Sequence, residues 1–434
     1  MFTDYVESGP TLLGDSSHNL RGTFRFTNTN MTMANTIRRA IIALTPSVGF
    51  RTEPYDKSDV IITVNTTPLP NEMISHRIGM IPVKVPDLVS FDASKYEFIL
   101  DKENNTKELM DVHAADFKVF MKNPENPLDE PVQLPTEDFF PPDPITGSTV
   151  LITRLRPQWN PTAPNERISL KAKASISTGS ENIRWSPVSQ CSYEYTLDPD
   201  PAHQDEVFRN WLITNKKIST LGATTVEGGE GEGAGSEGET GLSEERLDEL
   251  RREFKTMEIQ RCYLKNEKGE PYDFTFYVES VGIQDVQTIV KNAIAACEAL
   301  VTKYQDVDGV IPDNVRVQQG QSRFASMDVI FQNEGHTLGN LLETYLISDH
   351  VGGESGLNLG YAGYKVPHPL RPEMFVRIGV NEGAEDVETQ KRTAQLAIAT
   401  VCRKLKEEFR SVQSAWASLF AAAPEGVSET KTNK

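Results

Sequence analysis

The chain has 434 residues, 38% of them hydrophobic, and a formal net charge of −18 at pH 7. That length and apolar content allow two or three domains with real cores and exclude a disordered chain, while the acidic balance argues against gripping nucleic acid, since phosphate contacts need Lys and Arg facing the backbone. No run approaches about 18 apolar residues, so no membrane-spanning helix is expected, and the opening Met-Phe-Thr-Asp-Tyr-Val-Glu-Ser lacks the basic and apolar regions of a secretory signal.

In chain order, Thr23–Thr27 reads as a strand leading to Thr32, which can cap a helix with apolar positions Ile37, Ile41 and Leu44. Val226–Gly241 carries five Glu and six Gly between Glu227 and Glu239 with nothing large to bury, which marks a solvated acidic loop over 222–242. Its formal G-x-G-x-x-G, at Gly233, Gly235 and Gly238, is no phosphate cradle, because the neighbouring carboxylates would repel phosphate. After it, Ser243 can cap a helix with Leu247, Leu250 and Phe254 on one stripe.

Phe274, Phe276 and Val278 then alternate as a half-buried strand. Ile283, Val286, Val290, Ala293, Cys297, Leu300 and Tyr304 follow the 3-4 spacing of a packed helix. Gln305–Gln321 reads as a linker with turns; its Asp306-Val-Asp308-Gly309 is out of register for a calcium loop. Met327–Phe331 is strand-like, Thr337 can cap a helix with Leu342, Tyr345 and Leu346, and Met374–Ile378 alternates as a strand. A last helix carries Ala394, Ile398, Val401, Leu405, Val412 and Leu419, with Glu408 as its one polar lapse. The tail is 421–434.

Two stretches repeat at a constant offset of 305 residues. Phe26, Asn28, Thr32, Ala34, Asn35 and Ile37 align with Phe331, Asn333, Thr337, Gly339, Asn340 and Leu342, each within strand, capped helix, strand and long helix. A small residue at Ala34 and Gly339 admits close approach of a partner. The apolar strips of the two long helices either face each other in a pseudo-dimer, at about +20°, or each pack on their own sheet; periodicity does not choose.

Four cysteines, Cys191, Cys262, Cys297 and Cys402, are far apart and form no C-x-x-C, which suggests buried thiols in a reducing, intracellular compartment and no disulfides or Cys-rich zinc site. Seven histidines have no metal-ligand spacing, and sequons at Asn30, Asn65 and Asn104 carry no meaning in such a compartment. Walker, H-E-x-x-H and G-x-S-x-G motifs are missing, so a stand-alone enzyme is disfavoured and no catalytic residue is nominated.

Residues 24–82, with Ala34-Asn-Thr-Ile-Arg-Arg39, Asn65-Thr-Thr and His76-Arg-Ile-Gly-Met-Ile-Pro82, resemble the large assembly subunit of multisubunit DNA-dependent RNA polymerases. That family includes the third subunit of the eukaryotic nuclear enzyme, its archaeal counterpart and, more remotely, the bacterial α subunit. Leu151–Arg156, Ile183-Arg-Trp-Ser-Pro187 and Phe276–Ser280 extend the likeness. Residues 324–380, with His336-Thr-Leu-Gly-Asn-Leu-Leu342 and Ala362–Leu370, resemble the small partner, which is the eleventh subunit of the nuclear enzyme or its archaeal counterpart.

The resemblance implies an α+β chain with two α-subunit-like dimerisation modules forming a pseudo-dimer. Module 1 would occupy 1–48 and 188–304 around an inserted, mostly β domain at 49–187, and module 2 would occupy 322–420 after the linker 305–321. It implies a non-catalytic assembly platform, fused as in some large DNA viruses of eukaryotes, transcribing in the host cytoplasm or nucleus and possibly packaged in the virion; a regulatory mimic that sequesters polymerase components is the alternative. Implied partners are the largest and second-largest subunits and small zinc-binding subunits, with little nucleic-acid contact and no membrane. The implied docking residues are Arg38, Arg39, His76, Arg77 and Gly79, with His76 and Arg77 on an architectural turn. The pseudo-dimer interface would use Thr32, Ala34, Asn35, Ile37, Ile41, Val290, Cys297, Leu300, Thr337, Leu338, Gly339, Asn340, Leu342, Ile398, Val401 and Leu405. Relatives carry a Cys cluster for zinc or iron–sulfur after the HRLG-like motif; residues 83–120 here have no Cys, so no cofactor is expected, with catalytic Mg²⁺ confined to the largest subunit.

Overall fold

The computed structural model describes residues 1–8, 20–85, 87–88, 90–122, 130–143, 145–158, 164–218, 244–352, 357–380 and 386–421. The acidic loop 222–242, the cap assigned to Ser243 and residues 422–434 of the tail lie outside them.

In chain order the elements are β1 (Phe2–Ser8), β2 (Arg21–Thr27), α1 (Met31–Ala43), β3 (Pro46–Gly49), β4 (Val60–Asn65), α2 (Asn71–Gly79), β5 (Tyr96–Glu103), β6 (Met110–His113), β7 (Lys118–Met121) and β8 (Val132–Leu134). There follow β9 (Leu151–Leu155), β10 (Arg167–Ala172), β11 (Ser175–Thr178), β12 (Val188–Tyr195), α3 (Pro201–Lys216), α4 (Glu244–Met257), β13 (Asp273–Ser280) and α5 (Val286–Thr302). Last come β14 (Val315–Gln319), β15 (Ser326–Gln332), α6 (His336–His350), β16 (Leu359–Lys365), β17 (Glu373–Val380) and α7 (Val387–Ala421).

Two four-stranded sheets, ordered β1-β2-β13-β12 and β14-β15-β17-β16, share a plan. In each, the strand before the first helix pairs with the strand before the long helix. Alternation explains the burial: Phe24, Phe26, Phe274, Phe276 and Val278 are buried in one sheet, and Val329, Phe331, Met374, Val376 and Ile378 in the other. The turns into α1 and α6 match as well. Asn28 and Asn333 both adopt positive φ, 56° and 61°, a conformation that asparagine tolerates better than most residues.

The chain falls into two compact units, the first comprising Met1–Arg25, Thr32–Ser192 and Phe276–Lys434, and the second Phe26–Met31 and Tyr193–Thr275. Within the first, residues 48–174 enclose their own core around Phe50, Phe98, Phe117 and Phe140, beside a five-stranded sheet ordered β4-β10-β5-β7-β8. The second contains α3 and α4, which share a core of Phe208, Trp211, Leu212, Leu250 and Phe254. Asp200 caps α3 by accepting from the Ala202 amide, with Pro201 at the first turn.

Three expectations need correction. Thr32 and Thr337 are not caps: α1 begins at Met31 and α6 at His336, whose N-cap is Gly335 with no side-chain bond. The two threonines sit inside their helices, free to bond elsewhere. The stretch 305–321 is not a plain linker, because β14 pairs antiparallel with β15 from Val315↔Phe331 to Gln319↔Met327, and Val307 is fully buried. Finally, His76, Arg77 and Gly79 lie on the helix α2, not on a turn; Pro70, at its N-cap, starts it and Ile74 and Ile78 bury its apolar side. No helix of the described residues is long and apolar enough to cross a membrane.

Candidate functional site

The largest seam joining the two repeats runs between α5 and α7. Asp285 starts α5 by accepting from the Thr288 amide at 2.7 Å. One face of this helix then buries Val286, Val290, Ala293, Cys297 and Leu300. α7 is 35 residues long, about 52 Å at 1.5 Å per residue. It buries Ala394, Ile398, Val401, Leu405, Phe409, Val412 and Trp416, and packs both on α5 and on its own β15 and β17. The long helix α7 is thus shared between α5 and the sheet of its own repeat.

Polar contacts fix the direction of the seam. Trp416 Nε1 donates to the Gln287 carbonyl at 3.1 Å, Arg410 Nε to Glu298 Oε1 at 2.7 Å, Lys406 Nζ to Gln305 Oε1 at 2.8 Å and Arg403 Nη2 to Asp308 Oδ1 at 2.7 Å. As numbers rise along α5 they fall along α7, so the helices are antiparallel. Gln395 Nε2 donates to the carbonyl of the buried Val307, which pins the connecting segment to α7. The polar lapse Glu408 is half-buried and accepts the Tyr345 hydroxyl of α6, so it has a partner inside the module.

The first helices also meet. Thr32 and Thr344 hydroxyls lie 3.0 Å apart, and Arg39 Nε donates to Thr337 Oγ1 at 2.8 Å. Ala34, Ile37, Ile41, Leu338 and Leu342 are fully buried, and Asn35 and Asn340 half-buried. Gly339 faces its own sheet: a Cβ there would lie 2.3 Å from the Tyr364 ring of β16. Its smallness thus serves packing of α6 on its own strand.

The residues grouped for docking separate. Arg38 and Arg39 lie on α1, where Arg38 Nε donates to Asn35 Oδ1 at 3.0 Å. Arg77 on α2 donates to the Ile152 and Leu151 carbonyls of β9 at 2.6 and 2.8 Å. A Cβ on Gly79 would meet Arg184 Nη1 at 2.4 Å, so Arg77 and Gly79 tie α2 to its own surroundings, while His76 is exposed. Burial pushes the thiols of Cys191, Cys297 and Cys402 up to about 12, which leaves them protonated and inert. No group of three or more His, Cys, Asp or Glu among the described residues is arranged to hold a metal ion.

Trp416 and β1 were missed by the sequence reading. Trp416 lies edge-on to Phe2, Tyr5 and Phe24, so the N-terminal strand of one repeat grips the terminal helix of the other. A signal existed for Trp416, four residues beyond Val412 on the apolar stripe; β1, with Asp4 at positive φ, has too little alternation to read.

Comparison with known proteins gives two matches to one family, described as the RNA polymerase Rpb3/Rpb11 dimerisation domain, over residues 23–300 and again over 326–415. Relatives include the DNA-directed RNA polymerase subunit Rpo3 of Methanopyrus kandleri, 28% identical over 285 residues, which are 64% of this chain and 88% of that protein. The DNA-directed RNA polymerase II subunit RPB3 of Schizosaccharomyces pombe is 28% identical over 205 residues, 43% of this chain and 60% of its own length. The RPAC1 subunit of RNA polymerases I and III of Saccharomyces cerevisiae is 28% identical over 192 residues, 39% of this chain and 52% of its own length.

Proposed function

The chain belongs to the RNA polymerase Rpb3/Rpb11 dimerisation domain family, and we propose that it is a non-catalytic assembly platform of a DNA-directed RNA polymerase with both dimerisation partners in one chain. The observation that carries this reading is the antiparallel packing of α5 on α7, each the long helix of a separate family match. Each module has an apolar strip that water would oppose, and each supplies the cover the other lacks. A covalent join holds the partners at an effective concentration on the order of millimolar and removes a bimolecular step from assembly.

In this reading the largest and second-largest subunits dock on the pseudo-dimer, small zinc-binding subunits complete the platform, and Arg38 and Arg39 present guanidinium groups suited to carboxylates. Residues 49–187 are an insertion in the first module. The joined arrangement is a gene fusion, and a large DNA virus is its proposed source, with the protein working inside the host cell. The test is affinity purification of the tagged chain from its native source. Stoichiometric large subunits together with RNA synthesis are expected, and no RNA synthesis from the chain alone. Large subunits without synthesis would point to a sequestering mimic, and absence of both would refute the platform.

A further inference from the structure

A cleft of about 590 Å³ opens where the end of β13 meets residues 81–82 and 140–150, all within the first compact unit. Its size is that of a ligand site. Leu20, Ile283, Pro82, Phe140, Pro141 and Pro142 make its walls apolar, and the three prolines offer no N–H. The walls are tied to their neighbours. The Ser280 amide donates to the Leu20 carbonyl at 2.8 Å, Val281 to Pro187 at 3.1 Å and Ala114 to Val150 at 2.9 Å. The cleft is therefore formed before anything enters it, which keeps the ordering cost of binding low. Its rim is open, with Pro142, Val150, Ser189 and Val281 exposed, so an extended chain can lie in it without being enclosed.

The charge on the lining is all of one sign: Asp143 and Glu279 contribute to it, and no Lys, Arg or His does. Asp143 Oδ1 accepts the Ile145 and Thr146 amides at 3.0 and 2.7 Å. The Thr146 amide above all holds this carboxyl below the usual carboxylate range, so it is ionised at neutral pH, and no cation pairs with it among the described residues. Arg21 takes one oxygen of Glu279 alone: its Nε and Nη2 both donate to Oε2 at 3.0 Å, which leaves Oε1 to accept from elsewhere.

We propose that this cleft docks an extended segment of another polypeptide, one that sets an aliphatic or proline side chain between the apolar walls and carries a Lys or Arg toward Asp143 and the free oxygen of Glu279. An acidic segment would be repelled, and an uncharged one would cover Asp143 without compensating it. The inference rests on the platform reading for the source of the segment, a neighbouring subunit of the assembled polymerase, and on the lining of the cleft for its chemistry.

The experiment places photoreactive benzoylphenylalanine at Val150, which is 44% exposed on the rim, and irradiates the polymerase purified through the tagged full-length chain. The expected product joins this chain to one segment of another subunit that carries Lys or Arg beside the linked residue. Asp143→Asn keeps the acceptor of the turn and removes the charge; it should lower the yield about two- to fivefold, the scale of one exposed ion pair, with an unchanged melting temperature. Val281→Lys, which adds a cation to the rim, should lower it further. A link to an acidic or uncharged segment or to RNA, no link to another chain in a preparation that contains the large subunits, or a full yield with Asp143→Asn would each overturn the inference while leaving the platform standing. A tagged chain that brings down no large subunit would overturn the platform itself.

Discussion

Trp416→Ala removes a side chain that is 2% exposed and lies edge-on to Phe2, Tyr5 and Phe24 at centroid distances of 5.0, 5.7 and 4.9 Å. All three rings belong to the N-terminal repeat, so the loss falls on the association of the two modules and not on the core of either. Truncating a buried Trp or Phe to Ala costs about 3–5 kcal/mol, which includes the cavity left behind. At about 1.4 kcal/mol per factor of ten, the modules should associate some hundredfold to several-thousandfold more weakly. Trp416→Phe keeps an aromatic ring and loses the 3.1 Å bond to the Gln287 carbonyl, so about 1–2 kcal/mol is expected. The assay needs the modules as separate molecules: a protease site placed after Val310, which is 75% exposed, gives fragments 1–310 and 311–434 whose dissociation constant is read by fluorescence titration. In the uncut chain the millimolar effective concentration would mask most of the effect. A change below about threefold for Trp416→Ala would refute the idea that this aromatic cluster holds the modules together.

Gly339→Ala puts a methyl group 2.3 Å from the Tyr364 ring, so α6 or the ring must move; a destabilisation of about 1–3 kcal/mol in the unfolding of module 2 is expected, with fragment affinity little changed. His350 closes α6, is buried, and has no partner at Nε2; burial, with help from Lys404 and against Asp349, holds its pKa below the ordinary histidine value. The unfolded state therefore takes up the proton first, so stability should fall as pH drops below about 6.5, and His350→Gln should flatten that slope in urea unfolding measured at pH 7.5 and 5.5. Since burial raises the thiol pKa of all four cysteines, a thiol reagent at pH 8 should label none of them in the native chain and all after unfolding.

The parts of this fold that were legible in the sequence are those where one side of an element is buried and the other wet. Alternation in Phe274–Val278 and Met374–Ile378, and the 3-4 rhythm of Val290, Cys297, Leu300, Ile398, Val401 and Leu405, report burial directly, and those residues are buried. The strand β14 was hidden because Val315 and Val317 are followed by Gln318, Gln319 and Gly320 on an edge, where pairing asks little of side chains. Thr32 and Thr337 look like caps because a helix cap and a hydroxyl contact between helices ask for the same residue type. Arg39 meeting Thr337 was beyond reach, since nothing in either segment records a partner 298 residues away.

The most direct test of the account is the state of the chain once the connection is cut. Cleavage after Val310 under native conditions should leave 1–310 and 311–434 co-eluting at the size of the intact chain, held by the α5–α7 seam and the Trp416 cluster. Fragments that separate cleanly at micromolar concentration would contradict a one-chain pseudo-dimer, and with it the platform built on it.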